Sequence, residues 1–215
     1  INTVVGNVPH QRTFSIHAEH IAPRSRFFED ATPGSTIHLP DDNPRIFALY
    51  VHYLYTGHLA VLDYPTPVSA SSPPASRLYL IAHLYVLAEK LEDATAKRAF
   101  LDALVDETDK TQTAGGAHFP GNQVVNTVYD GTMSGSPARK LLVDLYTCND
   151  ECFISKTYEE EEWPVEFLRD LEVGMEALGR EWVPRVEWQS PRGKVGVYLE
   201  EVEDAGSVEK ELKKT

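Results

Sequence analysis

The chain has 215 residues, 42% of them hydrophobic and 25% charged, with 14 prolines and 13 glycines; that is enough apolar material for a buried core and too little proline and glycine for disorder throughout. Its formal net charge of -13, with a pI near 5.0, gives an average surface that repels phosphate and anionic lipid, which argues against nucleic-acid and membrane partners.

"INTVVG" and "RTFSIHA" are short, rich in β-branched and aromatic residues and separated by the turn-forming "NVPHQ", so they read as two paired strands, with helical residues from about Ala18. "STIHLP" alternates Ile37 and Leu39 with polar neighbours and reads as a third strand. In "DDNPRIFALYVHYLYTGHL", Asn43 or Asp42 can cap a helix and Pro44 suits its first position. Phe47, Tyr50, Val51 and Leu54 then form one apolar stripe, closed by Gly57. "HLAVL" is expected to add a fourth short strand.

Residues 63–77 are rich in proline and serine and read as an exposed loop. "RLYLIAHLYVLAEKLE" and "DATAKRAFLDALVDETD" follow as a helical hairpin, with Leu80, Leu84, Leu87 and Leu91 on one face of the first helix, Phe100 and Leu104 on the second, and Asp93 as the cap between them. "KTQTAGGAHFPGN" reads as a further loop. "QVVNTVYDG", "SPARKLLVDLYTCND" and "WPVEFLRDLEVGMEALG" read as helices, the last with a stripe of Phe167, Leu168, Leu171, Met175 and Leu178. After Pro184 the apolar period fades, so residues 184–215 read as an acidic, flexible tail.

Each sharper chemistry meets an obstacle. Cys148 and Cys152 are too few for a disulfide framework, and no second Cys or His pair at finger-like spacing completes a zinc site with them. His17 and His20 lack a third ligand at a completing distance. Neither Ser25 nor Ser134 sits in a Gly-x-Ser-x-Gly elbow, and Ser136 before Pro137 is explained by capping. The carboxylates of "YEEEEW" and "YLEEVEDAG" form a solvated face, since paired catalytic carboxylates need unlike surroundings. No catalytic, cofactor or metal residue is therefore assigned. No glycosylation sequon, spanning apolar run or leader is visible, so the expected setting is intracellular, cytoplasmic or nuclear. The start at Ile1 without a methionine carries the expectation of a trimmed amino terminus.

Of the tyrosines, Tyr50 belongs to the core stripe, whereas Tyr53 and Tyr55 fall off it and are candidates for an exposed partner surface together with Leu59 and Leu62. A histidine ending an alternating strand, as His17 does, is expected to bury its ring and bond a backbone carbonyl.

Phe14-x-Ile16-His17, Ile21, Arg24-Ser25 and Phe28, followed by "IHLPDDNPRIF" and "YLYTGHL", resemble the BTB/POZ domain. "LYVLAEKLED" with "KLLVDLYTCND" and "EFLRDL" is similar to the fungal version that carries a helical extension. The likeness covers most of residues 1–183. It implies an α+β fold: a small sheet of short strands covered by a helical cluster (1–109), then an all-helical extension (110–183). It implies that His17, Arg24, Ser25 and Phe28 are structural, with His17 at the strand-to-helix corner and Ser25 and Phe28 packed against the helical layer. It further implies a protein-binding module that forms homodimers or serves as an adaptor for a cullin-3 ubiquitin ligase. Two other functions stay open: the assembly domain of a transcriptional or chromatin regulator, and an enzyme with an unrecognised site.

Overall fold

The computed structural model describes residues 1–63, 77–113, 120–147 and 163–177, the last four residues of the second segment by backbone alone. Three four-residue strands form one sheet: β1 (Asn2–Val5), β2 (Arg12–Ser15) and β3 (Thr36–Leu39), in the order β2-β1-β3. β1 runs antiparallel to β2, with Thr3 opposite Phe14, and parallel to β3, with Thr3 beside Ile37. The parallel pair requires a crossover, supplied by the short helix α1 (Ala18–Ile21) and a 3-10 turn at Arg26–Phe28.

Strand alternation sends Thr3 and Val5 inward. Val5 packs in the core, but the Thr3 hydroxyl is buried with no hydrogen-bond partner among the described residues. Replacing it by the isosteric Thr3→Val removes an unpaired polar group, so stability in urea unfolding is expected to rise by about 1 kcal/mol. A loss of stability would show that the hydroxyl is satisfied after all.

Helix α2 (Pro44–Thr56) has the termini its sequence encodes: the Asn43 side chain accepts the Arg45 N–H at 2.9 Å, Pro44 opens the helix, and Gly57 leaves it at φ 67° with its N–H on the Tyr53 carbonyl. The segment after it departs from expectation. Ala60–Asp63 is a 3-10 turn and not a fourth strand, with the Leu62 N–H on the Leu59 carbonyl and Val61 fully buried. A short apolar run signals burial without choosing between strand and turn, and packing against α2 decides for the turn.

Helices α3 (Arg77–Lys90) and α4 (Ala94–Thr113) form the hairpin. Asp93 caps α4, its Oδ1 accepting the Ala96 N–H at 2.9 Å. α3 buries more than the one leucine face: Leu78, Ile81, Ala82, Tyr85 and Ala88 join Leu84 and Leu87 inside. The cause is its position, since it meets α2, α4 and α5 on different sides, and a helix apolar nearly all round belongs at the centre of a fold. α4 continues through Thr113, so a helix crosses the expected boundary at 109 and covers the start of the expected loop at 110–122.

The extension consists of α5 (Asn122–Gly131), α6 (Pro137–Thr147) and α7 (Val165–Ala177). α5 lies on α3, and all buried apolar residues belong to one cluster, so sheet, hairpin and extension share a core. Buried Arg139 fastens the three helices. Its Nη2 donates to the Tyr129 carbonyl at 2.6 Å and to the Thr132 carbonyl, satisfying carbonyls at the end of α5, while its Nη1 reaches Glu166 on α7 at 2.5 Å. The guanidinium lies 4.4 Å from the Tyr129 ring centre, and the Tyr129 hydroxyl donates to Asp170 at 2.9 Å. On α7, Phe167 and Leu171 are buried and Leu168 and Met175 partly so.

Among the described residues no helix is long and apolar enough to cross a membrane. The interior of the 63–77 loop, Cys148 and Cys152, Leu178 and the tail 184–215 lie outside the described residues.

Candidate functional site

Arg24 and Ser25 converge on the corner where α3 passes into α4. Ser25 is buried and its hydroxyl donates to the Leu91 carbonyl; Phe28 is fully buried in the core. The Arg24 guanidinium approaches the Asp93 carboxylate at 3.2 Å and lies 5.3 Å from the Tyr53 ring centre. The same carboxylate oxygen accepts the Tyr50 hydroxyl at 3.0 Å, and its other oxygen caps α4. Asp93 thus binds three elements at once: the segment after α1, helix α2 and the start of α4. Sequence reading found the cap alone. The Tyr50 and Arg24 partners lie 43 residues and more along the chain, and no local pattern joins them.

This corner is a brace. Burial, and after it the Asp93 charge, push the Tyr50 phenol far above its ordinary value; burial also raises Tyr85 and Tyr129. The sign follows directly. Unfolded tyrosines release protons near pH 10 while the folded ones hold them, so stability is whole below pH 10 and falls as pH rises past it. Alkaline titration of the unfolding free energy is expected to bend downward near pH 10, and Tyr50→Phe to flatten the bend. A flat profile to pH 11.5 or so would contradict the burial argument.

His17 does not have the buried ring expected of it. The side chain is exposed, and its partner is a phenol, not a backbone carbonyl: the Tyr55 oxygen accepts the His17 backbone N–H at 2.9 Å and stands 2.7 Å from His17 Nδ1. The physical reason is strand alternation. Ile16 takes the inward position at 3% exposure, so the next side chain points out. His17 still stands at the strand-to-helix corner, as the N-cap residue of α1.

Tyr53 also differs from its expected placement. It is only 7% exposed, packed at 5.0 Å against Phe100, and belongs to the core and not to an exposed surface. Tyr55 is 41% exposed. Its ring centre lies 4.9 Å from that of His20 and 5.9 Å from that of His17, so α1 and the end of α2 share an exposed aromatic cluster. Leu59, just before the adjacent 3-10 turn, and Leu62, on it, are partly buried against the core. Beside them His58 pairs with Asp63 at 3.4 Å, and His52 Nδ1 lies 3.2 Å from the His58 carbonyl.

His17 and His20 are neighbours, with ring centres 5.9 Å apart, but among the described residues no group of three His, Cys, Asp or Glu is placed to hold a metal ion. Ser134 is exposed. Ser136 is buried directly before α6, its hydroxyl 3.2 Å from that of Tyr85. No family model matches the chain, and no curated protein matches it.

Proposed function

We propose that this chain is a protein-interaction module of the BTB/POZ type with a helical extension, and that its partner surface is built on Tyr55, Leu59 and Leu62 beside His17 and His20. The observation that carries the reading is the division of labour around the Arg24-Ser25 pair. The polar residues that invite a catalytic interpretation point inward onto Asp93 and the Leu91 carbonyl, while an amphipathic tyrosine and imidazoles stand at the surface. Rings of that kind anchor protein interfaces, because they bury large area at low conformational cost. The partner class is a protein, with self-association or a cullin-3 ligase scaffold as the two forms that the sequence resemblance brings forward.

The test is calorimetric titration of the full chain with the purified amino-terminal region of a cullin-3, alongside light scattering of the chain alone. Tyr55→Ala is expected to weaken whichever association is found by about tenfold or more, the loss of one interface anchor, and to leave the melting temperature nearly unchanged. Absence of both associations, or an unaltered affinity in Tyr55→Ala, would overturn the assignment of this surface.

A further inference from the structure

Four of the chain's eight histidines stand in one surface strip that their places in the sequence do not announce. His17 and His20 belong to α1 and its cap, His52 to α2, and His58 to the segment leading into the 3-10 turn. All four are exposed. Tyr55 joins the two halves. Its ring centre lies 5.9 Å from that of His17 and 4.9 Å from that of His20, and His52, three residues before it on α2, shares its helix face. From His52 the strip runs on to His58, with ring centres 6.3 Å apart. Leu59 and Leu62 supply apolar surface beside it.

The hydrogen bonds of the strip leave room for protons and for a ligand. His17 Nδ1 is engaged by the Tyr55 oxygen at 2.7 Å and His52 Nδ1 by the His58 carbonyl at 3.2 Å. Among the described residues nothing takes the Nε2 of either ring, or either ring nitrogen of His20. A proton on His17 Nδ1 keeps its bond, because the Tyr55 oxygen can accept from Nδ1 and from the His17 backbone N–H together. Imidazole is the side chain that gains its charge between about pH 8 and pH 5, so acid turns this strip cationic. The carboxylates beside it are Asp63, 3.4 Å from His58 Nε2, and Glu19 on α1; four imidazolium charges outnumber these two. The wider net charge of -13 is screened beyond a Debye length of about 8 Å at physiological salt, and the strip is therefore locally positive on an acidic protein.

We infer, resting on the interaction-module reading, that this strip docks a carboxylate-rich segment of another protein, with an apolar side chain of that segment against Tyr55, Leu59 and Leu62, and that docking tightens as the pH falls. Complementary charge selects the partner. Its carboxylates stay ionised through the window in which imidazole charges, since ordinary carboxylates titrate near pH 4. Exposed ion pairs are worth about 1.4- to 5-fold each in affinity, so two or three of them acting together give a change of about tenfold. Because the pairs are exposed, salt weakens them.

Two rhodamine-labelled peptides test this by fluorescence anisotropy on the full chain: Glu-Asp-Glu-Leu-Tyr-Glu-Asp-Glu, and its amide counterpart Gln-Asn-Gln-Leu-Tyr-Gln-Asn-Gln. The acidic probe is expected to bind about tenfold more tightly at about pH 5.5 than at about pH 8, with most of that gain lost at about 0.5 M salt. The amide probe is expected to show no such change. In the intact chain at the lower pH, the acidic probe should shift the ring signals of His17, His20, His52 and His58 and leave those of His10 and His38, which are exposed outside the strip. Replacing the four strip histidines by glutamine should remove the pH dependence, whereas His10→Gln with His38→Gln should keep it. No binding of the acidic probe, binding that does not change with pH, or an equal pH effect on the amide probe overturns the inference. Shifts confined to His10 and His38, or a pH effect that survives the fourfold replacement, also overturn it. The interaction-module reading is judged separately, by whether Tyr55→Ala weakens the associations sought by calorimetry and light scattering, so either can fail alone.

Discussion

Asp93→Ala is expected to destabilise the fold by about 2–4 kcal/mol, from a lost helix cap and a buried hydroxyl left without its acceptor, with a smaller loss from the ion pair to the partly exposed Arg24. Three losses fall at one point. Arg24 keeps its charge over the Tyr53 ring with no carboxylate beside it, the buried Tyr50 hydroxyl loses its acceptor, and α4 loses its cap. The cap alone is worth about 1 kcal/mol and an unpaired buried hydroxyl costs about 1–3 kcal/mol, so these two losses supply most of the total, and Arg24, partly open to solvent, adds less. Urea unfolding of Asp93→Ala, Arg24→Met and the double variant separates these contributions. The double variant should be less damaged than the sum of the two singles, because removing both charges leaves neither stranded. Strict additivity would show that Arg24 and Asp93 do not interact in solution.

Gly131→Ala is the second large effect, and here the cause is steric. A Cβ built on Gly131, at the end of α5, would stand 2.2 Å from Val86 Cγ1 and 2.8 Å from Cγ2 on α3. Side chains do not tolerate that distance, and α3 cannot recoil because α2 and α4 pack it from other sides. A loss of about 3 kcal/mol is expected, at the upper end for overpacking. Val86→Ala should restore part of it by clearing the space, so the double variant melts above Gly131→Ala alone. If the second substitution only adds its own damage, α5 is not held against α3 in this way. Because α5 joins the extension to the hairpin, this contact tests directly whether the extension is part of one core.

The way these residues act also separates what a linear sequence can announce from what it cannot. Helix α2 was legible in full because each of its signals is local: Asn43, Pro44, the apolar period and Gly57 act within a few residues of one another. The sheet was legible for the same reason, its three segments being short alternating runs between turn residues. The inward placement of Ser25 and Phe28 followed from resemblance, and the coordinates supply the contacts that make it physical. His17 could have been placed by extending the alternation one residue past Ile16; the expectation of a buried ring took the corner as interior.

Local pattern therefore determined the three strands, both ends of α2 and the acidic charge, because propensity, capping and charge act over a few bonds. Tertiary structure alone decided that Tyr53 is covered by Phe100 and Arg24, that "HLAVL" closes as a turn under α2, and that α3 is buried on several sides. It also decided that Asp93 serves residues from two distant elements besides its own helix. Burial and ion pairing depend on which surfaces meet, and that is set by the packing of elements far apart in the chain.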